Sequence, residues 1–136
     1  MNAFESSLNQ YVLHGAVINA VTINDNSLTF VFDEGVYCLA QENCDSCKTG
    51  ACNMNLYIQG FDKKSLYQNL TIKSINNSTI TDVCFDKFSK AVKNGGFKVY
   101  LDYYSFVARS ILLIGTTEKF EFEITVTDLE KIEFTF

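Results

Sequence analysis

The chain of 136 residues contains no proline, no tryptophan and one histidine, His14, and its one arginine is Arg109. The absence of proline removes rigid turns and any proline-rich linker, so nothing in the composition marks a domain boundary. A lone histidine restricts catalytic pairs of the Ser-His or Cys-His kind to one place in the chain. We therefore expect a single domain over residues 1–136, a length that one hydrophobic core can fill.

Long apolar runs and targeting signals are also missing. The longest apolar stretch, residues 106–114, is interrupted by Arg109 and Ser110 and is too short to span a bilayer. The N-terminal sequence has neither the basic region nor the apolar region of a secretory signal. Five cysteines without such a signal favour a reducing compartment. The sequence thus predicts a cytoplasmic protein without a membrane span.

Positive charge is scarce, and this narrows the class of partner. The net charge is −5, from 11 basic and 16 acidic residues, and no run of lysine and arginine occurs. A protein that binds nucleic acid normally carries a basic face, so we expect no nucleic-acid partner. A protein partner with a basic surface fits this charge better.

Catalytic signatures are absent as well. The sequence has no G-x-S-x-G, no phosphate loop, no H-E-x-x-H and no dinucleotide-binding glycine pattern. His14 precedes the first strong strand pattern, a place typical of a hydrogen-bonded structural histidine. The acidic residues Asp33, Glu34 and Asp102 leave one enzymatic alternative, a hydrolase built on paired carboxylates. We predict a non-enzymatic protein without a cofactor.

Most of the sequence alternates apolar and polar residues with the period of a strand that has one buried face. An offset near Asn19 predicts a β-bulge, and residues 24–27 predict a hairpin loop. The last two alternating segments, residues 120–126 and 132–136, predict an antiparallel hairpin with one wet face.

Two segments depart from this alternation. Residues 106–114 are apolar on both faces, which is typical of a strand covered on both sides. Residues 82–93 carry Phe85, Phe88 and Val92 at helical spacing, and two glycines follow to end a helix, which is the predicted cover. The predicted fold class is therefore α+β: a mainly antiparallel β-sheet of about seven to nine strands, sandwich- or barrel-like, with one packed α-helix near residues 82–93.

Four of the five cysteines lie in one short window: Cys38, Cys44, Cys47 and Cys52. Cys44 and Cys47 have the C-x2-C spacing of a zinc knuckle, and the outer two can complete a structural zinc site. Two other interpretations stay open. One is a reversible disulfide between Cys44 and Cys47, and the other is simple packing of the outer cysteines as small hydrophobes. The alternative function that we predict is a zinc-stabilised or thiol-responsive module.

The run YLDYY places Tyr100, Asp102 and Tyr104 on one predicted face of a strand, opposite its apolar row. Tyrosines on a presented sheet face are good anchors for a protein partner, and packing beneath the helix is the other interpretation. Glu121 and Glu123 share the polar face of a later strand and suit a basic partner. These five residues are the predicted partner-binding set.

Short motifs extend over much of the chain: Leu13-His14 before a strand, F-x-F-x-x-G at Phe30 to Gly35, Thr49-Gly50 before another strand, and Tyr103-Tyr104-Ser105. In these motifs the chain resembles a family of small, uncharacterised proteins from low-GC bacteria. Such proteins are similar to the immunity partners of secreted bacterial toxins and to phage-associated accessory proteins. The resemblance implies a small protein-binding module, with an immunity-type inhibitor as its concrete form. It implies no catalytic residues, and it implies that the cysteine cluster is a local elaboration.

Overall fold

A computed structural model describes residues 11–25, 27–38, 48–60 and 66–136. Within these ranges it has twelve strands and two helices, of which α1 has only four residues. The elements in chain order are β1 Tyr11–Val12, β2 Val17–Ile18, β3 Ala20–Ile23, β4 Ser27–Phe32, β5 Tyr37–Cys38, β6 Cys52–Ile58, α1 Leu66–Asn69, β7 Leu70–Asn76, β8 Thr79–Asp82, α2 Phe85–Lys93, β9 Phe97–Ser105, β10 Ser110–Thr116, β11 Glu121–Val126 and β12 Leu129–Thr135.

Two antiparallel sheets contain ten of these strands. The six-stranded sheet has the order β2-β9-β10-β11-β7-β8, and the four-stranded sheet has the order β12-β6-β4-β3. Strands β1 and β5 form a separate two-stranded ladder. The hairpin loop predicted at residues 24–27 is confirmed, because β3 pairs with β4 and the Asn24 amide donates to the Ser27 carbonyl at 2.8 Å. The predicted α+β class with mainly antiparallel sheet is confirmed, but the described residues form twelve strands instead of seven to nine, and three of these strands have only two residues.

Alternate side chains of both sheets point into one hydrophobic core. In β6, every second residue from Cys52 to Ile58 is buried, while those between are half-buried. The register sets these buried side chains beside those of β4, with Phe30 opposite Met54 and Leu28 opposite Leu56. From the six-stranded sheet, Phe122 and its alternate neighbours join the same core cluster. The alternation in the sequence therefore marks the inner faces of the two sheets.

Two short corners carry the chain from one sheet to the other. At Asn19, between β2 and β3, the backbone amide donates to the Val31 carbonyl at 2.7 Å. Between β11 and β12, Asp128 adopts a φ of 56° and the Leu129 amide donates to the Arg109 carbonyl at 2.9 Å. The offset at Asn19 is therefore a change of sheet. The predicted terminal hairpin is wrong, because β11 pairs with β10 and β7 whereas β12 pairs with β6.

The helix predicted near residues 82–93 is confirmed as α2, although it begins at Phe85 because Asp82 still belongs to β8 and pairs with Lys73. It packs on the inner face of the six-stranded sheet. The ring of Phe88 meets Phe97 edge-on at a centroid distance of 5.6 Å and Phe122 at 5.2 Å. The helix ends at Asn94, and Gly96 with a φ of 85° follows it. None of the described helices is long and apolar enough to cross a membrane.

The prediction that residues 106–114 form one strand covered on both sides is wrong. Residues 106–109 form an exposed turn, and β10 begins only at Ser110. Because α2 contacts the inner face of the sheet, it leaves the outer side chains of β10, Leu112 and Ile114, uncovered. The second apolar face of β10 therefore belongs to the outer surface of the sheet.

Candidate partner-binding face

A β-bulge in β9 decides which of its side chains face outward. In the pairing of β9 with β10, Leu101 lies opposite Ile114, whereas the next residue of β10, Gly115, lies opposite Val99. Tyr100 is therefore an extra residue, and side chains after it point to the face opposite to the one that unbroken alternation would give. Gly115 permits this close approach, because a Cβ atom there would collide with the Lys98 carbonyl oxygen and lie 2.8 Å from the Phe97 ring.

The bulge turns two large side chains of β9 toward solvent. Leu101 is 45% exposed and Tyr103 is 63% exposed. Across the ladder they face the outer side chains of β10, since Leu101 pairs with Ile114 and Tyr103 pairs with Leu112. Ile114 and Leu112 are half-buried beside them. These four residues form an apolar and aromatic surface on the outside of the six-stranded sheet.

The turn between β9 and β10 extends this surface. Phe106 is 49% exposed and Val107 is 94% exposed, so two apolar side chains project where the hairpin reverses. The Ala108 amide donates to the Ser105 hydroxyl at 3.1 Å, and Arg109 adopts a φ of 51°, which together fix the turn. We call the set Leu101, Tyr103, Phe106, Val107, Leu112 and Ile114 the β9–β10 face.

Polar side chains border the β9–β10 face on β11. Glu121 and Glu123 are half-buried on the outer side of β11, and Glu123 lies opposite Ile114 in the ladder. Tyr100 donates its hydroxyl hydrogen bond to Glu121. Partial burial, then this hydrogen bond and the carboxylate charge, raise the pKa of Tyr100 to about 12. On the other side of Glu123 the register places Lys73, so the border carries both charges.

The predicted partner-binding set does not share one face. Tyr104 packs against the core, and it lies opposite buried Ile111. Asp102 lies opposite buried Leu113 and is half-buried on the same inner side. The prediction that Tyr100, Asp102 and Tyr104 share a face opposite Leu101 is therefore wrong, and the bulge is the physical reason.

Asp102 instead belongs to a small polar cluster at the start of the described chain. Burial raises the pKa of its carboxyl group, and the backbone amides of Asp102 and Leu13 and the nearby His14 act in the opposite direction. His14 Nδ1 donates to the Tyr100 carbonyl oxygen at 2.5 Å, a hydrogen-bonded role of the kind that the sequence predicts. These contacts hold the segment before β2 against β9 at the bulge.

The outer face of the four-stranded sheet differs sharply from the β9–β10 face. There the side-chain amide of Asn24 donates to the Thr29 hydroxyl at 2.8 Å, and this hydroxyl donates to Asn55 Oδ1 at 2.8 Å. Asn55 continues the chain of hydrogen bonds to the Thr135 hydroxyl at 3.3 Å. These four polar side chains hydrogen-bond to one another, whereas the β9–β10 face is apolar and aromatic.

Two of the four clustered cysteines, Cys44 and Cys47, lie outside the described residues. Cys52 is buried and Cys38 is half-buried. Burial raises the pKa of the Cys52 thiol, the charge of Cys38 raises it further, and hydrogen bonds from Thr49 and from the Val36 backbone act in the opposite direction. Among the residues that the structure describes, no group of three or more His, Cys, Asp or Glu side chains is arranged to hold a metal ion. The four-cysteine site stays a prediction.

Comparison with known proteins identified no relative of this chain. No protein-family model, no curated protein sequence and no solved structure matches the chain. The function is therefore inferred from the surface of the protein.

The sequence pattern missed the residues at the centre of the β9–β10 face. The bulge brings Leu101 and Tyr103 to this face, whereas the alternation in the sequence assigns them to the opposite side. A sequence signal for Phe106 and Val107 is their place just before Arg109 and Ser110, which interrupt the apolar run.

Proposed function

We propose that the protein acts by binding another protein through the β9–β10 face. The observation that supports this most strongly is the second apolar face of β10, which no described element covers. Apolar side chains that lie together on a surface, with a polar border, are typical of protein interaction sites. An exposed tyrosine beside half-buried aliphatic side chains resembles the centre of such a site.

The polar border of the β9–β10 face indicates the charge that we expect on the partner. Glu121 and Glu123 add negative charge beside the apolar residues, and the whole chain carries a net charge of −5. A basic surface on the partner would complement them. Because Lys73 lies beside Glu123 in the register, we expect apolar contacts to supply most of the affinity. The two glutamates would set orientation, association rate and salt dependence.

The concrete form of this proposal is an immunity-type inhibitor that covers a basic site on a toxin. In this form the exposed turn at Phe106 and Val107 inserts into an apolar depression of the toxin, and the acidic border meets its basic residues. Such an inhibitor needs no catalytic group of its own. Its activity is measured as loss of the toxin's activity at stoichiometric concentration.

Capture of a partner by paired variants tests the proposal. Wild-type protein, Tyr103→Asp and Phe136→Asp are immobilised and exposed to the same bacterial lysate. Phe136 is a matched control, because it is also an exposed aromatic residue, at 69%, but follows β12 of the other sheet. A partner retained by wild type and Phe136→Asp but lost by Tyr103→Asp supports the proposal. Retention of every captured protein by Tyr103→Asp contradicts it.

The charge of the partner has its own test. Glu121→Gln with Glu123→Gln removes two charges from the border and keeps a hydrogen-bond acceptor for Tyr100. Glu130→Gln is the control, since Glu130 is exposed on β12 of the other sheet. We expect the double variant to bind the captured partner more weakly at low salt and with a shallower salt dependence. An unchanged salt dependence would remove the basic partner from the proposal.

A zinc-stabilised or thiol-responsive module is a second proposal. The charge of Cys38 contributes to the raised pKa of the Cys52 thiol, and a β-bridge pairs Tyr37 with Lys48, on either side of Cys44 and Cys47 in the sequence. The native mass of the protein, purified without chelator, decides this proposal. A mass excess of one zinc ion, lost on denaturation and absent from Cys44→Ser with Cys47→Ser, supports it. A metal-free mass with five free thiols contradicts the zinc form.

A further inference from the structure

The inner face of the β7–β8 hairpin carries a compact group of polar side chains. In this ladder Ser74 lies opposite Thr81, and Asn76 lies opposite Thr79. Strand alternation puts the four side chains on one face, the face that Phe122 occupies on β11, since Phe122 lies opposite Ser74. We call these four residues the polar floor.

The polar floor lines an open groove of about 400 Å³. Phe120, just before β11, Val83, just before α2, and Lys87, in the first turn of α2, line its sides. Phe120 is 39% exposed, and Lys87 Nζ lies 6.0 Å from the centre of its ring. The groove therefore has an aromatic surface and one ammonium group above a hydroxyl-rich and amide-rich floor.

The side chains of the polar floor are available to a ligand. Within the described part of the chain, none of them takes part in a hydrogen bond, in contrast to the Asn24, Thr29 and Asn55 side chains of the other sheet. Hydroxyl and amide groups both donate and accept hydrogen bonds. They match a ligand whose own groups both donate and accept hydrogen bonds. The groove is large enough for a small molecule.

We propose that this groove binds a saccharide unit that carries one anionic group. The hydroxyls of a sugar ring would exchange hydrogen bonds with the polar floor, and the apolar C–H face of the ring would lie on Phe120. Lys87 would pair with the anionic group, which a uronic acid supplies as a carboxylate and a sugar phosphate supplies as a phosphate. A nucleotide fits less well, because Lys87 is the one cationic side chain among the described residues that line the groove.

Amide chemical shifts of the 15N-labelled protein test this proposal with four probes: glucuronic acid, glucose 6-phosphate, glucose and inorganic phosphate. We expect saturable shifts in β7, β8 and the start of α2 at millimolar concentrations of at least one anionic sugar. The sugar that binds identifies the anionic group. Glucose should bind more weakly at the same amides. The absence of saturable shifts with both anionic sugars would overturn the proposal. Equal shifts with phosphate alone would also overturn it, since they would show a plain anion site.

Variants locate the binding and separate its two parts. Thr79→Val with Thr81→Val removes two hydroxyls from exposed residues but keeps their shape, and it should abolish the shifts. Thr71→Val, at an exposed residue on the outer face of β7, is the matched control and should keep them. Lys87→Met should weaken the anionic sugar about tenfold and leave glucose unchanged. Undiminished shifts in the double variant would place the ligand elsewhere and refute the proposal.

Discussion

Replacing Gly115 by alanine tests the bulge that creates the candidate face. Gly115 is buried in β10 where the register with β9 shifts. An added Cβ would collide with the Lys98 carbonyl oxygen, lie 2.8 Å from Phe97 Cζ and lie 3.0 Å from the Lys98 carbonyl carbon. Two of these three atoms belong to the backbone of the paired strand, and the Phe97 ring is fully buried. The neighbours therefore cannot yield without a change in the bulge.

The magnitude follows from this geometry. Extra methyl groups in a packed core usually cost about 1–3 kcal/mol, and a contact with backbone belongs at the upper end. We expect Gly115→Ala to lower the free energy of unfolding by about 3 kcal/mol, roughly a 150-fold change in the equilibrium. Where a glycine has room, the same replacement stabilises a protein by about 0.4–1 kcal/mol through the unfolded chain. The sign of the effect is therefore as informative as its size.

Urea denaturation followed by circular dichroism measures this change. Gly50→Ala is the control, because no atom of the described residues, apart from Gly50 and its chain neighbours, lies within 4 Å of the Cβ position there. We expect the control to be as stable as wild type or up to about 1 kcal/mol more stable. A Gly115→Ala variant as stable as the control would refute the register that we assign to β9 and β10. It would also remove the reason for placing Leu101 and Tyr103 outside.

Three further predictions follow from other contacts. Tyr100→Phe should make the free energy of unfolding less dependent on pH in alkaline solution. The pKa of Tyr100 is raised from 10.0 to about 12, so the stability that its protonated hydroxyl contributes is fully present below pH 10 and is lost toward pH 12. Solvent screening of this 40% exposed residue keeps the effect below about 1 kcal/mol, and stability measured from pH 8 to 12 checks it. Asp102→Asn should raise the melting temperature at pH 7 and not at pH 3, because burial disfavours the ionised carboxyl group; a lower melting temperature at pH 7 would contradict this. Phe88→Ala should cost about 3–5 kcal/mol in urea denaturation, since its ring fills the space between Phe97 and Phe122, and a loss below about 1 kcal/mol would refute that packing.

Local patterns predicted most of the elements because burial of one strand face leaves a period of two in the sequence. The alternation from Cys52 to Ile58 and from Glu121 to Val126 matches the buried faces of β6 and β11. The helix was predictable because burial of one helix face leaves apolar residues at helical spacing. Phe88 and Val92 have this spacing and are the buried residues of α2.

The choice of partner strand was not predictable from these patterns. A corner between two sheets, such as the one at Asp128, and a hairpin loop within one sheet require similar polar residues. Which of the two forms depends on how the side chains of both sheets pack in the core. The bulge at Tyr100 depends on Gly115, which is fifteen residues away in the chain. Local alternation cannot detect such a contact, so it assigned Leu101 to the inside and Asp102 to the outside.

The candidate site was therefore predicted in part. Tyr100, Glu121 and Glu123 lie beside the β9–β10 face, and the apolar residues that form its centre were missed. The sequence did indicate that β10 is apolar on both sides. It could not show that α2 covers only the inner side, because the position of a helix over a sheet depends on contacts between distant residues such as Phe88 and Phe122.

The affinity of a captured, purified partner for single variants tests the central claim most directly. Titration calorimetry would compare wild type with Leu101→Ala, Tyr103→Ala and Phe136→Ala. If the β9–β10 face binds the partner, Tyr103→Ala weakens binding by about 2 kcal/mol, roughly thirtyfold, Leu101→Ala weakens it by a smaller amount, and Phe136→Ala leaves it unchanged. Equal affinities for all four proteins, or a loss confined to Phe136→Ala, would contradict the claim.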